Sequence, residues 1–460
     1  MEIARVTGIA KTTKATGTGL MRSTVNSQRA FDHGKQYIPD GVSSPMRAFQ
    51  LVGGDPICAT RAAGARIYDA DDNEYIDYLC SFGATLIGHS NKDVNQQVAK
   101  QLELGSIYGL TTPQEHSVAE QIVSSSSDID QVRFVCSGTE AVMTAVRIAR
   151  AHTGRNIILK FVGSYHGHAD ALLQSPATVD FKTKGSTSGL AQSSLESVIL
   201  CSYNSSEELE AAFKNFGDDI AAVIVEPIAT NMGLVISNVE FLKSIRNLCT
   251  QHGALFIADE VVTGFRFGFG PYTSTLGLEP DLFTFGKIIG GGLPIGAYGG
   301  KRELMQHVAI GNSVFQSGTF AANPLTLSAS SAILELLSAP GFYDKLEESG
   351  SYLQAAIESE FKRYGIPFYV SRKGALLGVS YRASSEQMQS YKDVKSQDAD
   401  LFTQVHQRLL NKGILLAPSL EEPIFIGSSH TRADFDYLAT NLAMAISDAM
   451  GESNLQVNSI

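Results

Sequence analysis

PDLFTFGKIIGGGLPIGAYGG, residues 280–300, is the stretch from which the rest of the chain can be read. Residues 282–285 form a short β-leaning run closed by Gly286; a single lysine, Lys287, follows, and then three glycines in a row at 290–292. Glycine carries no Cβ, so backbone and ligand can come close around such a lysine. The flanking residues are apolar, and burial among them would lower the pKa of the amine and make it a usable nucleophile. The segment alone equally allows a glycine-rich turn whose lysine points at water. The neighbouring stretches have to decide.

Two short apolar runs precede it, AAVIVEP at 221–227 and ALFIADE at 254–260, each ending in a carboxylate, Glu226 and Asp259. Continuous apolar runs suit strands buried on both faces of a parallel sheet, and α/β proteins place ligands at the C-terminal ends of such strands. Residues 241–250 between them have helical character, so the unit reads strand, helix, strand. A single acid at a strand end is ordinarily a helix cap or an ion-pair partner. Two in register, beside a lysine at the next strand end, suggest one site.

Further upstream, VRFVCSGTEAVMTAVRIAR at 132–150 runs from a β-rich segment through Ser137-Gly138-Thr139 into apolar residues at helical spacing. Ser137 or Thr139 can cap this helix, and the same N-terminus offers N–H groups and a dipole to an anion such as phosphate. FVGSYHGHAD at 161–170 supplies Tyr165 or His166 as a ring to lie against a planar ligand. His166, His168 and Asp170 also have the HxHxD spacing of metallo-β-lactamase-like hydrolases, whose motif continues with a histidine where Ala171 stands.

The chain has 460 residues, enough for more than one domain, and 43% of them are hydrophobic. Its net charge of -11 argues against nucleic acid as a main partner, and no apolar run reaches the ~18 residues of a membrane span. The five cysteines are scattered without a CxxC pair, which suggests neither a disulfide framework nor a structural zinc site and fits a reducing, cytoplasmic compartment. Residues 1–28, rich in Ser, Thr and Gly, are expected to be a disordered tail rather than a targeting remnant. Arg47, in a Pro- and Gly-punctuated loop, could capture a carboxylate or form a surface ion pair. RIYDADDNEYIDY at 66–78 reads as a β-hairpin, and small residues around Phe82 and His89 could floor a cleft. Helical patterns at 353–364, 398–410 and 433–450 indicate a smaller C-terminal unit. The expected division is a tail at 1–28, an N-terminal segment at 29–80, a large domain at 81–330 and a small domain at 331–460.

A nucleophilic lysine, a strand-end aspartate, a phosphate cradle and an aromatic ring are the groups that pyridoxal 5'-phosphate needs. With SGTEA at 137–141, GSYHGHAD at 163–170, DEVVTGFR at 259–266 and GKIIGGGLPIGAYGG at 286–300, the chain resembles the class III aminotransferases of PLP fold type I, and among them the glutamate-1-semialdehyde aminomutases. The resemblance covers residues 38–430. It implies an α/β fold with a mostly parallel central sheet in a large domain, a smaller α+β domain, and a homodimer with shared sites. It further implies that Lys287 carries the cofactor and shuttles a proton, Asp259 pairs with the ring nitrogen, and Val261 packs on the ring face opposite Tyr165. Gly138 and Thr139 would bind the phosphate, with Thr319 reaching that of the neighbouring subunit, and Glu226 and Asn231 would lie beside the ring. Arg47, Phe82 and Glu422 fall where the family meets substrate. Phe82 replaces the aminomutases' tryptophan, GTFAANP at 318–324 and SIYGLTTP at 106–113 depart from their pattern, and their gating loop has no counterpart near 185–189. The implied reaction is isomerisation of glutamate 1-semialdehyde to 5-aminolevulinate. An intermolecular transamination, and more remotely a metal-dependent hydrolase or a non-catalytic binding protein, stand as alternatives.

Overall fold

The computed structural model describes residues 22–173 and 189–457. Its centre is a sheet of seven strands: β1 (Gln131–Val135), β2 (Ile157–Phe161), β3 (Val198–Cys201), β4 (Ile220–Val225), β5 (Leu255–Asp259), β6 (Leu282–Gly286) and β7 (Gly296–Gly300). In space the order is β1-β7-β6-β5-β4-β2-β3, and only β7 runs antiparallel to its neighbours. Strands β4, β5 and β6 are buried along their whole length, as the apolar runs required.

Period-two alternation sorts their side chains into two cores. Leu255 and Ile257 of β5 join Ala222 and Ile224 of β4 on one face, where the helix Gly138–Thr153 contributes Val142, Ala145, Val146 and Ala149. Phe256 and Ala258 join Val223 and Val225 on the other, under helices Ser206–Phe216 and Val239–His252. Each fully buried Leu, Ile, Val or Phe stabilises the fold by about 1.5–3 kcal/mol, so this doubly covered sheet is a rigid platform for whatever its strand ends carry.

The N-terminal and C-terminal parts of the chain meet in a second sheet. Arg66–Asp69 pairs antiparallel with Glu74–Asp77, forming the expected hairpin, and Ile414–Leu415 adds parallel to the latter. Helices run across two of the expected boundaries. Helix Val25–Gly34 begins inside the expected tail, held by Asp71, whose carboxylate accepts from the N–H groups of Asn26 and Ser27. The division at 330/331 cuts the helix Pro324–Leu337, whose buried face joins the core of the large unit. The expected gating-loop position lies outside the described residues except for Gly189. Among the described residues no single helix is long and apolar enough to cross a membrane.

Residues Cys80, Ser81, Phe82 and Gly83 have φ of 45°, 51°, 56° and 89°, a full turn of left-handed backbone. Such a turn costs about 1–2 kcal/mol for each residue with a Cβ and persists only when the surroundings over-determine it. Here Asp77 Oδ1 accepts from the N–H groups of Leu79 and Cys80, both at 3.0 Å, and Thr85 N–H donates to the Cys80 carbonyl at 3.1 Å.

Candidate active site

The C-terminal ends of β4, β5 and β6 stand side by side and set Glu226, Asp259 and Lys287 around one cavity of about 510 Å³. Gly138, Thr139, Tyr165, His166, Asn231 and Val261 line it too. Lys287 follows β6 in left-handed backbone, φ 49°, and opens the short turn Lys287–Gly290. Its amine donates no hydrogen bond to a described residue. Burial lowers its pKa, Arg266 lowers it further, and Glu422, Glu226 and Asp259 oppose both. The result is an amine closer to its neutral, nucleophilic form than a surface lysine.

Asp259 is buried and fully engaged. Its Oδ1 accepts from Val261 N–H and Thr284 Oγ1, each at 3.1 Å, and its Oδ2 lies 2.6 Å from His166 Nδ1. A carboxylate only accepts, so Nδ1 carries the proton. His166 Nε2 is buried and has no partner among the described residues. His166 therefore braces the aspartate, whereas the Tyr165 ring stands exposed at the cavity. Glu226, also buried, accepts from Tyr165 N–H at 3.2 Å, Thr230 Oγ1 at 3.0 Å and Asn231 Nδ2 at 2.9 Å. Burial raises its pKa, and Asp259 adds to this.

At the far end of the cavity Ser137, not Thr139, caps the helix Gly138–Thr153, accepting from Glu140 N–H at 3.2 Å. The N–H groups of Gly138 and Thr139 have no helical partner by position and remain for an anion. A Cβ at Gly138 would stand 3.0 Å from Val261 Cγ1, so any side chain there would press on the valine beside the cradle.

The other expected residues lie outside this lining. Glu422, in the segment after Ile414–Leu415, interacts electrostatically with Lys287, and burial pushes its carboxyl up to about 8. Phe82 sits half-buried on the left-handed turn, whose next residue, Ala84, does line the cavity. Arg47 is exposed on the turn Pro45–Ala48, and Thr319 is exposed as well. The HxHxD reading separates: His166 turns to Asp259 and His168 Nδ1 lies 3.3 Å from Thr139 Oγ1. Among the described residues no three His, Cys, Asp or Glu side chains converge as a ligand set. Sequence reading missed Thr284 as a brace of Asp259, although a lone threonine in the buried run LFTFG was a signal for it. It also missed Arg266, buried beside the site.

A match to the class-III aminotransferase family spans residues 50–434, and the chain belongs to that family. Its sheet order and largely parallel strands are those of PLP fold type I. Within the family it is 43% identical, over 89% of its length and 95% of the relative's, to the glutamate-1-semialdehyde 2,1-aminomutase of Thermomicrobium roseum. It is 40% identical to that of Aquifex aeolicus, covering 92% of this chain and 100% of the relative. Among solved structures it is similar to an omega-transaminase from Sphaerobacter thermophilus, with TM-score 0.85, 30% identity, and 92% and 98% of the two chains covered.

Proposed function

We infer that this chain is a pyridoxal 5'-phosphate-dependent aminomutase that converts glutamate 1-semialdehyde to 5-aminolevulinate. The observation that carries the reading is the joining of Lys287, Asp259 and the Gly138-Thr139 N–H groups around one cavity, in a chain alignable with aminomutases over nearly its whole length. The residues fit the cofactor: an anion cradle at a glycine, an aspartate held in place by three donors, and an amine whose pKa burial lowers. When bound, the cofactor supplies an aldehyde for linkage to the amine and a ring that takes up electron density from the carbon bearing the substrate nitrogen.

Lys287 Nζ is the attachment point and then the base that removes and returns protons at the reacting carbons. Asp259, braced by His166 and Thr284, offers its carboxylate to the protonated ring nitrogen. Val261 and Tyr165, which both line the cavity, would bound the two faces of the ring, and Glu226 and Asn231 would lie at its side. Gly138 and Thr139 donate to the phosphate. Arg47, Phe82 and Glu422 serve the substrate side.

Thr319 completes the phosphate site of a second copy in a homodimer. Its exposure together with that of Ile310, Phe315 and Phe320 supports this, since such apolar surface is rarely left to water. Five unpaired cysteines support a reducing, cytoplasmic setting.

A second reading, intermolecular transamination, is favoured by Phe82 in the tryptophan position and by the likeness to an omega-transaminase. Purified protein given glutamate 1-semialdehyde, with no other amine or keto acid, separates the two. Sustained release of 5-aminolevulinate establishes the mutase; product formation only after a second amino compound is added would establish the transaminase instead.

A further inference from the structure

Arg266 is 2% exposed, yet no carboxylate pairs with it among the described residues. Its Nε donates to the Val262 carbonyl at 3.2 Å, its Nη2 donates to the Gly83 carbonyl, and its Nη1 is buried with no partner among the described residues. The guanidinium lies 5.4 Å from the centre of the Phe425 ring. A buried cation without an anion is expensive, and a core needing only volume would hold a leucine or methionine here.

The two carbonyls that Arg266 holds explain its placement. Val262 lines the Lys287 cavity, and Gly83 ends the left-handed turn directly before Ala84, which lines the same cavity. Arg266 thus ties a strained turn, which carries Phe82, to the loop that follows Asp259. It holds the turn at its last residue, as Asp77 holds it at its first.

Its charge has a second effect. Lys287 faces Glu422 from the C-terminal segment, Glu226 from the end of β4 and Asp259 from the end of β5, all of which favour the ammonium form. Arg266 opposes them. Burial lowers the Arg266 guanidinium to about 10, which leaves it charged at neutral pH. Beyond the Val262 and Gly83 carbonyls, the polar groups acting on it are the Cys80 thiol and Tyr343 hydroxyl, whose own burial keeps them protonated.

We propose that Arg266 is a positioning residue: it clasps the left-handed turn Cys80–Gly83 to the Val262 loop and sets one positive charge beside the acidic side chains that face Lys287. The proposal rests on the reading of Lys287 as the cofactor-linked amine, and the test separates the two.

Holoenzyme is titrated with pH while the long-wavelength absorbance of the lysine-linked cofactor is followed, for wild type, Arg266→Gln, Arg266→Met and Arg266→Lys. Loss of the positive charge stabilises the protonated nitrogen, so the midpoint rises by about one pH unit in the Gln and Met variants. Arg266→Lys keeps the charge and keeps the midpoint within about 0.3 unit of wild type. A folded neutral variant with an unmoved midpoint overturns the proposal. So does failure of both neutral variants to fold while Arg266→Lys folds, which would assign Arg266 to the core alone. Absence of any visible band in the wild type refutes the cofactor reading itself.

Discussion

Asp259→Asn removes one charge and changes no shape, which makes it the sharpest probe of the site. The wild-type carboxylate accepts on Oδ1 from Val261 N–H and Thr284 Oγ1, and on Oδ2 from His166 Nδ1. The asparagine oxygen can serve only the first pair, so its NH₂ must face His166. Nδ1 then has to accept, and the imidazole proton moves to Nε2, which is buried with no acceptor. One unsatisfied buried donor costs about 1–3 kcal/mol, and denaturant unfolding should show a loss of that size. The catalytic loss is larger, because the ring nitrogen loses its opposing charge in a site shielded from water. Roughly 3–4 kcal/mol, or about 10²–10³ in kcat, is expected from removing such an interaction. Steady-state 5-aminolevulinate formation at saturating cofactor measures it. An asparagine variant with full occupancy and kcat within about threefold of wild type, well short of that loss, would refute the bracing scheme.

Gly138→Ala places a methyl group 3.0 Å from Val261 Cγ1 at the anion cradle, and cofactor affinity measured by fluorescence titration should fall roughly tenfold or more. Thr284→Val deletes one of the three donors to Asp259 at nearly constant volume; it should cost about 1–2 kcal/mol of stability and lower kcat by less than Asp259→Asn does. For Glu422, burial raises the folded value to about 8 from 4.5, so the native state holds that proton more tightly than the unfolded chain. Its contribution to stability is therefore complete below pH 4.5 and is lost as pH rises towards 8, and Glu422→Gln should flatten the stability profile across that window in denaturant melts.

Much of this site could be read from one dimension because parallel strands align their ends. Residues 221–227, 254–260 and 282–286 each announce a buried strand by a largely apolar run, and the register of such strands puts Glu226, Asp259 and Lys287 together. The helix cap at Ser137 was equally local. Pairings across the sheet left no comparable trace: His166 meets Asp259 across 93 positions, and neither residue's neighbours mark the contact. The left-handed turn at Cys80–Gly83 is hidden for another reason. CSFG holds one glycine, and the strain is borne by Asp77 and Arg266, which are 3 and 183 positions from the residues they hold. Arg47, Phe82 and Thr319 were assigned from family motifs, and none of them lines the cavity of the single chain. Thr319 is exposed.

The central claim is that the cavity is built around Lys287 to hold pyridoxal 5'-phosphate on that amine. Borohydride reduction of the purified holoenzyme turns the link into a stable secondary amine, and peptide mapping by mass spectrometry then reads its position. The account predicts the phosphopyridoxyl mass on Lys287 alone, and its disappearance together with the visible absorbance in Lys287→Ala. Cofactor mass on a different lysine, or an unmodified Lys287 in a protein that turns over glutamate 1-semialdehyde, would contradict it.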